Sequence, residues 1–395
     1  MKRVAMQPRP GWQDKCQAVG FNFHSLPSED GQPYWRESAA YQLTMDEVLR
    51  LEAETRELFD RCMDAVEFVV RQDRYQEFDI PEQFWPLIKA SWDRDDPTVF
   101  GRFDLCWQGD GPAKLLEFNA DTPTSLVESA VAQWFWLKDT MGHEADQFNS
   151  LHEKLIDQWR HIREKRWSLP EGAPIHVASL HDGGNGELIQ EDYDNVAYMA
   201  EVASAAGFRP KQIFVEDISW NQRGHNFTDR EGQAVLDLYK LYPWEWLVHE
   251  QYAPHIIESW GRTRWIEPIW KMLLSNKQLL VVLWELFPGH PNLLPAFNTD
   301  VPLLGKARVR KPKLGREGAN VAVLSAEGLP LEHTEGGYGD EGHVWQEYCA
   351  LPEFDGWRPV IGSWVVGDEP AGVNFRETSG RITGDLAFFV PHYIA

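Results

Sequence analysis

The chain has 395 residues, 43% of them hydrophobic, and its 38 basic against 61 acidic side chains give a formal charge of −23. That length and apolar content support a large core divided over two or three packed units. The acidic balance excludes the clustered basic face that a nucleic-acid binder needs; it mostly serves solubility and also tolerates a cationic partner such as a polyamine.

The opening stretch MKRVAMQPRPGWQDK lacks the apolar core of a signal peptide. The longest apolar run, LLVVLW at 279–284, is far short of the roughly 20 residues that cross a bilayer. No membrane partner is expected, and a cytoplasmic location fits. Cys16, Cys62, Cys106 and Cys349 lie too far apart for a CxxC motif and read as small buried hydrophobes in a reducing compartment.

An irregular, proline-containing arm runs to about residue 43. Thr44 and Glu47 then form a capping box ahead of apolar residues at helical spacing, which predicts a long amphipathic helix. Next comes RFDLCWQGDGPAKLLEFN, residues 102–119, read as a hairpin, and the loop NADTPTS leads into a second expected capping box, Ser125 with Glu128. From about 174 the strand PIHVASL, a helix ended by Gly207 and the strand KQIFVEDI predict a βαβ unit. A helical, tryptophan-rich stretch is expected to about 290, followed by two strands around a basic glycine loop in KARVRKPKLGREGANVAVLS and by antiparallel strands in the tail.

Three constellations carry chemistry. In the hairpin, pairing Phe103 with Phe118 and Leu105 with Leu116 puts Asp104 opposite Glu117 and Arg102 opposite Asn119. Opposed carboxylates destabilise a sheet unless a cation or proton intervenes. An oxygen set of Asp104, Glu117 and Asn119 suits Mg²⁺, and the following loop ends at a helix N-terminus that favours an anion; a solvent-facing polar hairpin is the bland alternative. The second constellation is Lys311 at a strand end before Gly315, Arg316 and Gly318, a hairpin suited to cover a triphosphate, although a solvated basic edge has the same composition. The third is Arg376 in an otherwise apolar strand, which needs a carboxylate or phosphate partner. No HExxH, GxSxG or zinc-spaced His/Cys cluster occurs.

In this order the three constellations resemble the synthetase part of the glutathionylspermidine synthetase family, including stand-alone bacterial members, from GWQDKCQAVGFNFHS to FVPHYIA. The resemblance implies an α+β or α/β, ATP-grasp-like fold of permuted order with an inserted pre-ATP-grasp-like βαβ domain. It divides the chain into 1–170, a helical arm with the metal-binding hairpin; 171–270, a substrate domain; and 271–395, a nucleotide-clamping subdomain with the C-terminal strands. It implies a ligase that uses ATP and Mg²⁺ to activate a peptide-like or amino-acid carboxylate as an acyl phosphate for attack by a small amine.

By the same resemblance, Asp104, Glu117 and Asn119 hold Mg²⁺, Arg102 steers the carboxylate and Arg376 stabilises the transferring phosphoryl group. Lys277 and Lys311 contact the nucleotide, the Gly315–Gly318 loop with Arg316 closes over the phosphates, and Gln346, Glu347 and Tyr348 form the adenine hinge. Thr122 and Thr124 stand where the family places serines that contact glutathione, and Glu191 and Asp192 approximate its polyamine-receiving acids. The bifunctional members' amidase domain has no counterpart here, so product hydrolysis is not expected. A non-catalytic nucleotide-binding scaffold and a kinase are the competing readings, and neither the two substrates nor an oligomeric state follows from the sequence.

Overall fold

Thr44 caps the helix Met45–Arg71 as its sequence predicts: its hydroxyl accepts from the Glu47 amide, and the Glu47 carboxylate accepts from the Thr44 amide. The apolar stripe Leu51, Leu58, Cys62, Val66 and Val69 is buried, each Leu or Val contributing about 1.5–3 kcal/mol relative to exposure. This stripe packs on the strands Arg358–Val366 and Glu369–Thr378. The computed structural model describes residues 1–28, 31–166, 174–184, 186–301, 306–385 and 387–395.

Those two strands belong to an antiparallel sheet ordered Phe388–Val390, Glu369–Thr378, Arg358–Val366, Phe100–Cys106, Lys114–Asn119. The hairpin therefore completes a sheet made largely from the C-terminal third of the chain. Its register sets Phe103 against Phe118, Asp104 against Glu117 and Arg102 against Asn119. The expected pairing of Leu105 with Leu116 is not formed: the register shifts after Asp104 and Leu105 faces Leu115. An extra residue in one strand of this kind bends the ladder and re-aims neighbouring side chains. Phe103 and Phe118 stack with centroids 3.9 Å apart, which holds the register on the apolar face.

A second sheet is parallel, ordered Arg264–Ile266, Asp237–Lys240, Ile175–Ser179, Pro210–Phe214. The helix Gln190–Ala205 makes the expected βαβ crossover and ends before Gly207 at φ +89°, a conformation that glycine adopts without steric cost. Its two further strands correct the helical expectation for that stretch. They are three or four residues long among tryptophans, too short to impose a period on the sequence.

A third, antiparallel sheet runs Ala296–Phe297, His343–Glu347, Arg308–Pro312, Ala322–Leu324, Pro330–His333. The N-terminal arm is also less irregular than expected. Lys2–Ala5 pairs with Ala39–Leu43, and His392–Ile394 lies parallel to the latter, joining the two ends of the chain. The boundary expected at residues 170 and 171 lies outside the described residues.

Candidate active site

A cavity of about 900 Å³ opens between the three sheets, and every site residue singled out from the sequence lines it. At its floor the two opposed carboxylates are matched by cations. Arg102 Nε donates to Asp104 Oδ1 at 2.9 Å and Arg376 Nη2 to Asp104 Oδ2 at 2.6 Å, so one carboxylate is gripped from both sides. Lys277 Nζ lies 3.0 Å from Glu117 Oε2, and Asn119 Nδ2 donates to Glu117 Oε1 at 3.3 Å. Burial alone would raise Glu117, but Lys277 and Lys311 outweigh it and hold the carboxyl at about 2. Burial pushes Lys311 down to about 8.

The positive groups outnumber the two carboxylates, which leaves the floor ready for a polyanion. Arg376 Nε is buried with no hydrogen-bond partner among the described residues, an uncompensated donor that a phosphate oxygen would satisfy. Asp104 and Glu117 with the Asn119 carbonyl form an all-oxygen set, and no cluster of three His, Cys, Asp or Glu among the described residues makes a metal cage. That donor set fits Mg²⁺, which takes few protein carboxylates and completes its shell with water and phosphate.

Lys311, on the central strand of the third sheet, donates to the Leu116 carbonyl at 2.9 Å and to Gln346 Oε1 at 2.8 Å. Gln346 in turn donates to the Leu115 carbonyl at 3.0 Å, so these two side chains tie the sheets together across the cleft. Lys277 also donates to the Gly315 carbonyl at 2.5 Å, bringing the glycine loop down to the floor. Gly318 sits at φ +68°, where an added Cβ would lie 2.8 Å from the Thr383 carbonyl oxygen. Arg316 reaches across to the Thr122 hydroxyl and lies 5.5 Å from the Trp246 ring centroid. Glu347 pairs with Lys306 at 2.6 Å, and the Tyr348 amide donates to Ala307.

The far end of the cavity is acidic. Thr124 offers its carbonyl to Arg102 Nη1 at 2.6 Å. The loop is pinned by Asp121, whose carboxylate takes Lys240 Nζ at 2.8 Å and the Trp244 amide at 2.7 Å, all buried. Glu191, pushed up to about 8 by burial and by Glu128 and Asp192, faces this end beside Asp192, which burial raises to about 6.

Ser125 and Glu128 do not form the expected capping box. Ser125 takes φ +68°, the Leu126 amide is met by Asn195 Oδ1 at 3.1 Å, and Glu128 opens a π-turn. Its buried carboxylate accepts from Tyr34 at 2.7 Å and is pushed up by burial to about 7. Tyr34, Phe23 and Leu26 of the arm also wall the cavity; nothing in a proline-rich segment marks them for this, and Glu128 was concealed by its fit to a capping pattern. Cys16, Cys62 and Cys106 are buried as expected, but Cys349 departs from the reading of four small buried hydrophobes, since it is half-buried, lines the cavity and contacts Cys106.

Residues 3–395 match the family model described as glutathionylspermidine synthase preATP-grasp. The chain belongs to the glutathionylspermidine synthase family. It is accordingly an ATP-dependent carboxylate–amine ligase with an ATP-grasp-like fold and a pre-ATP-grasp insertion, acting on small molecules. Within the family it is similar to a Haemophilus influenzae protein named "Putative acid--amine ligase", with 42% identity over 405 residues covering 100% of this chain and 99% of the relative. It is 26% identical over 364 residues both to trypanothione synthetase of Crithidia fasciculata and to the bifunctional glutathionylspermidine synthetase/amidase of Escherichia coli (strain K12). Those matches cover 85% of this chain but 53% and 56% of the relatives, so the chain spans about half of their length. A solved glutathione synthetase-like effector from Globodera pallida, in apo form, shares the fold with a TM-score of 0.53 at 8% identity, over 98% of this chain and 96% of that one. No helix among the described residues is long and apolar enough to cross a membrane.

Proposed function

We propose that the cavity joins a peptide-like or amino-acid carboxylate to a small amine, a polyamine among the candidates, through an acyl phosphate made with ATP. The observation that carries this reading is the opposed pair Asp104 and Glu117, neutralised by Arg102, Arg376 and Lys277 at the floor of one cavity. Asp104, Glu117 and Asn119 would hold Mg²⁺, which when bound would offset phosphate charge. Phosphoryl transfer to a carboxylate relies on positioning and charge neutralisation more than on a side-chain base.

Arg102, anchored to the Thr124 carbonyl, would orient the acceptor carboxylate, and Arg376 would take up charge on the transferring phosphoryl group. Lys277 and Lys311 would bind the nucleotide phosphates. The Gly315–Gly318 loop with Arg316 would cover them and exclude water from the acyl phosphate. Gln346, Glu347 and Tyr348 would border the adenine. Thr122 and Thr124 would contact the acceptor, and Glu191 and Asp192 the cationic amine, with 1–170, 171–270 and 271–395 as the corresponding units. A cytoplasmic location accords with this chemistry.

The decisive assay couples ADP release to a matrix of carboxylates and amines, with hydroxylamine added to trap acyl phosphate. Turnover that requires both substrates, and a hydroxamate when the amine is omitted, are expected. An exhaustive matrix without ATP turnover, joined to no nucleotide-induced thermal shift, would instead leave a non-catalytic scaffold. Phosphate transfer to a hydroxyl without hydroxamate would make it a kinase.

A further inference from the structure

Cys106 and Cys349 are 243 positions apart in the chain, yet their sulfurs lie 2.8 Å apart in hydrogen-bond contact. Both are free thiols. They come from segments that meet where two sheets adjoin, Cys349 lying in the stretch between the strands His343–Glu347 and Arg358–Val366. Cys106 ends the strand that carries Arg102 and Asp104, whereas Cys349 directly follows Gln346, Glu347 and Tyr348. Around them Leu351, Val360 and Leu116 make a small apolar cluster separate from the main cores.

Their accessibility differs. Cys106 is 1% exposed and also approaches the Ala350 carbonyl at 3.3 Å, whereas Cys349 is half-buried and lines the cavity. The contact with Cys106, with Lys114 and Lys311 adding to it, lowers the Cys349 thiol against the burial that would raise it. A reactive thiol next to a shielded one is the arrangement of an attacking cysteine with its resolving partner.

We propose that Cys106 and Cys349 are a thiol–disulfide modification site, oxidised by low-molecular-weight disulfides that enter through the nucleotide cavity, and that the cross-link turns off nucleotide binding. This inference rests on the reading of that cavity as the nucleotide site. The Cys349 thiolate attacks one sulfur of the small disulfide, forming a mixed disulfide and expelling one thiolate. The Cys106 thiol, giving up its proton, then attacks the Cys349 sulfur and expels the second. Two protein thiols lose two electrons, and the small disulfide becomes two thiols.

A covalent bond of about 2.05 Å would replace the present contact and tie the end of the hairpin strand Phe100–Cys106 to the segment by which the chain leaves the third sheet. The Lys311 and Gln346 contacts already join the hairpin sheet and the third sheet non-covalently. The cross-link would remove the freedom of the sheets to part for a nucleotide. A bound nucleotide would in turn shield Cys349.

The test treats the full chain with glutathione disulfide, with and without ADP and Mg²⁺, then alkylates free thiols and maps peptides by mass spectrometry. A peptide joining Cys106 to Cys349 is expected, forming at least several-fold more slowly with ADP and Mg²⁺. The ADP-induced thermal shift of the oxidised protein should fall by at least half and return with dithiothreitol. Cys349→Ser should lose this sensitivity relative to its own reduced state, and Cys106→Ala should stop at the mixed disulfide on Cys349. Separate alkylation of both cysteines after oxidation overturns the pairing, and a cross-linked protein with an undiminished ADP shift overturns the control. Absence of the shift in the reduced protein overturns the nucleotide reading and the control with it, while the cross-linked peptide still decides the pairing.

Discussion

Asp104 is the residue on which the floor of the cavity converges, because the guanidinium groups of Arg102 and Arg376 both bond its carboxylate. Asp104→Asn keeps the shape but removes the charge, and it should lower kcat/KM by at least roughly 100-fold, measured by ADP release with an accepted substrate pair. The acids at the far end make a pH prediction. Glu191, with an ordinary value of 4.5, is raised to about 8 by burial and by Glu128 and Asp192, so between those values the folded chain holds a proton that the unfolded chain has lost. Stability without ligand must therefore fall as pH rises through that window. Glu191→Gln, which imitates the protonated acid, should reduce the drop in Tm between about pH 5 and pH 9 by roughly 2 °C or more, read by calorimetry. Arg102, Asp104, Glu117 and Asn119 were legible in the sequence because a period of two and two phenylalanines determine which side chains share a face. Tyr34 and Glu128 were not, since their 2.7 Å bond spans 94 positions and leaves no local pattern.

At the scale of elements, the loop 119–125 is held in place by the parallel sheet. Lys240, on the strand Asp237–Lys240, is buried against Asp121 and also donates to the Tyr242 carbonyl at 2.9 Å. Lys240→Met would leave the Asp121 carboxylate buried without its cation and should cost about 3 kcal/mol, measured by urea unfolding, with KM for the carboxylate rising because Thr122 and Thr124 lose their support. The strand behind this contact was missed in the sequence. The long helix was found because its cap and apolar stripe are local, whereas strands of three or four residues owe their existence to parallel neighbours far along the chain. The bulge after Asp104 is another such case. Apolar matching predicted Leu105 against Leu116, but the sheet ladder with Arg358–Val366 on the other side decides where the extra residue goes.

Across the whole molecule, the hairpin Phe100–Asn119 is an edge of a sheet whose other strands come from 358–390, and the arm is tied to the same sheet by Arg3, Arg36 and Tyr41, which all bond the buried Glu377. A fragment of residues 1–357 would lack the strands that cover Phe103 and the long helix. It should lose near-UV circular dichroism and a cooperative thermal transition. The sequence by itself determined the family, the long helix, the βαβ crossover and the set of polar residues, because caps, periods and motif order are written in neighbouring positions. Only the tertiary structure decided that two arginines grip one aspartate, that the arm walls the cavity, and that Cys349 meets Cys106. Each of these depends on chain segments far apart in sequence being held within hydrogen-bond reach, and that is a property of the packed sheets rather than of any local run of residues.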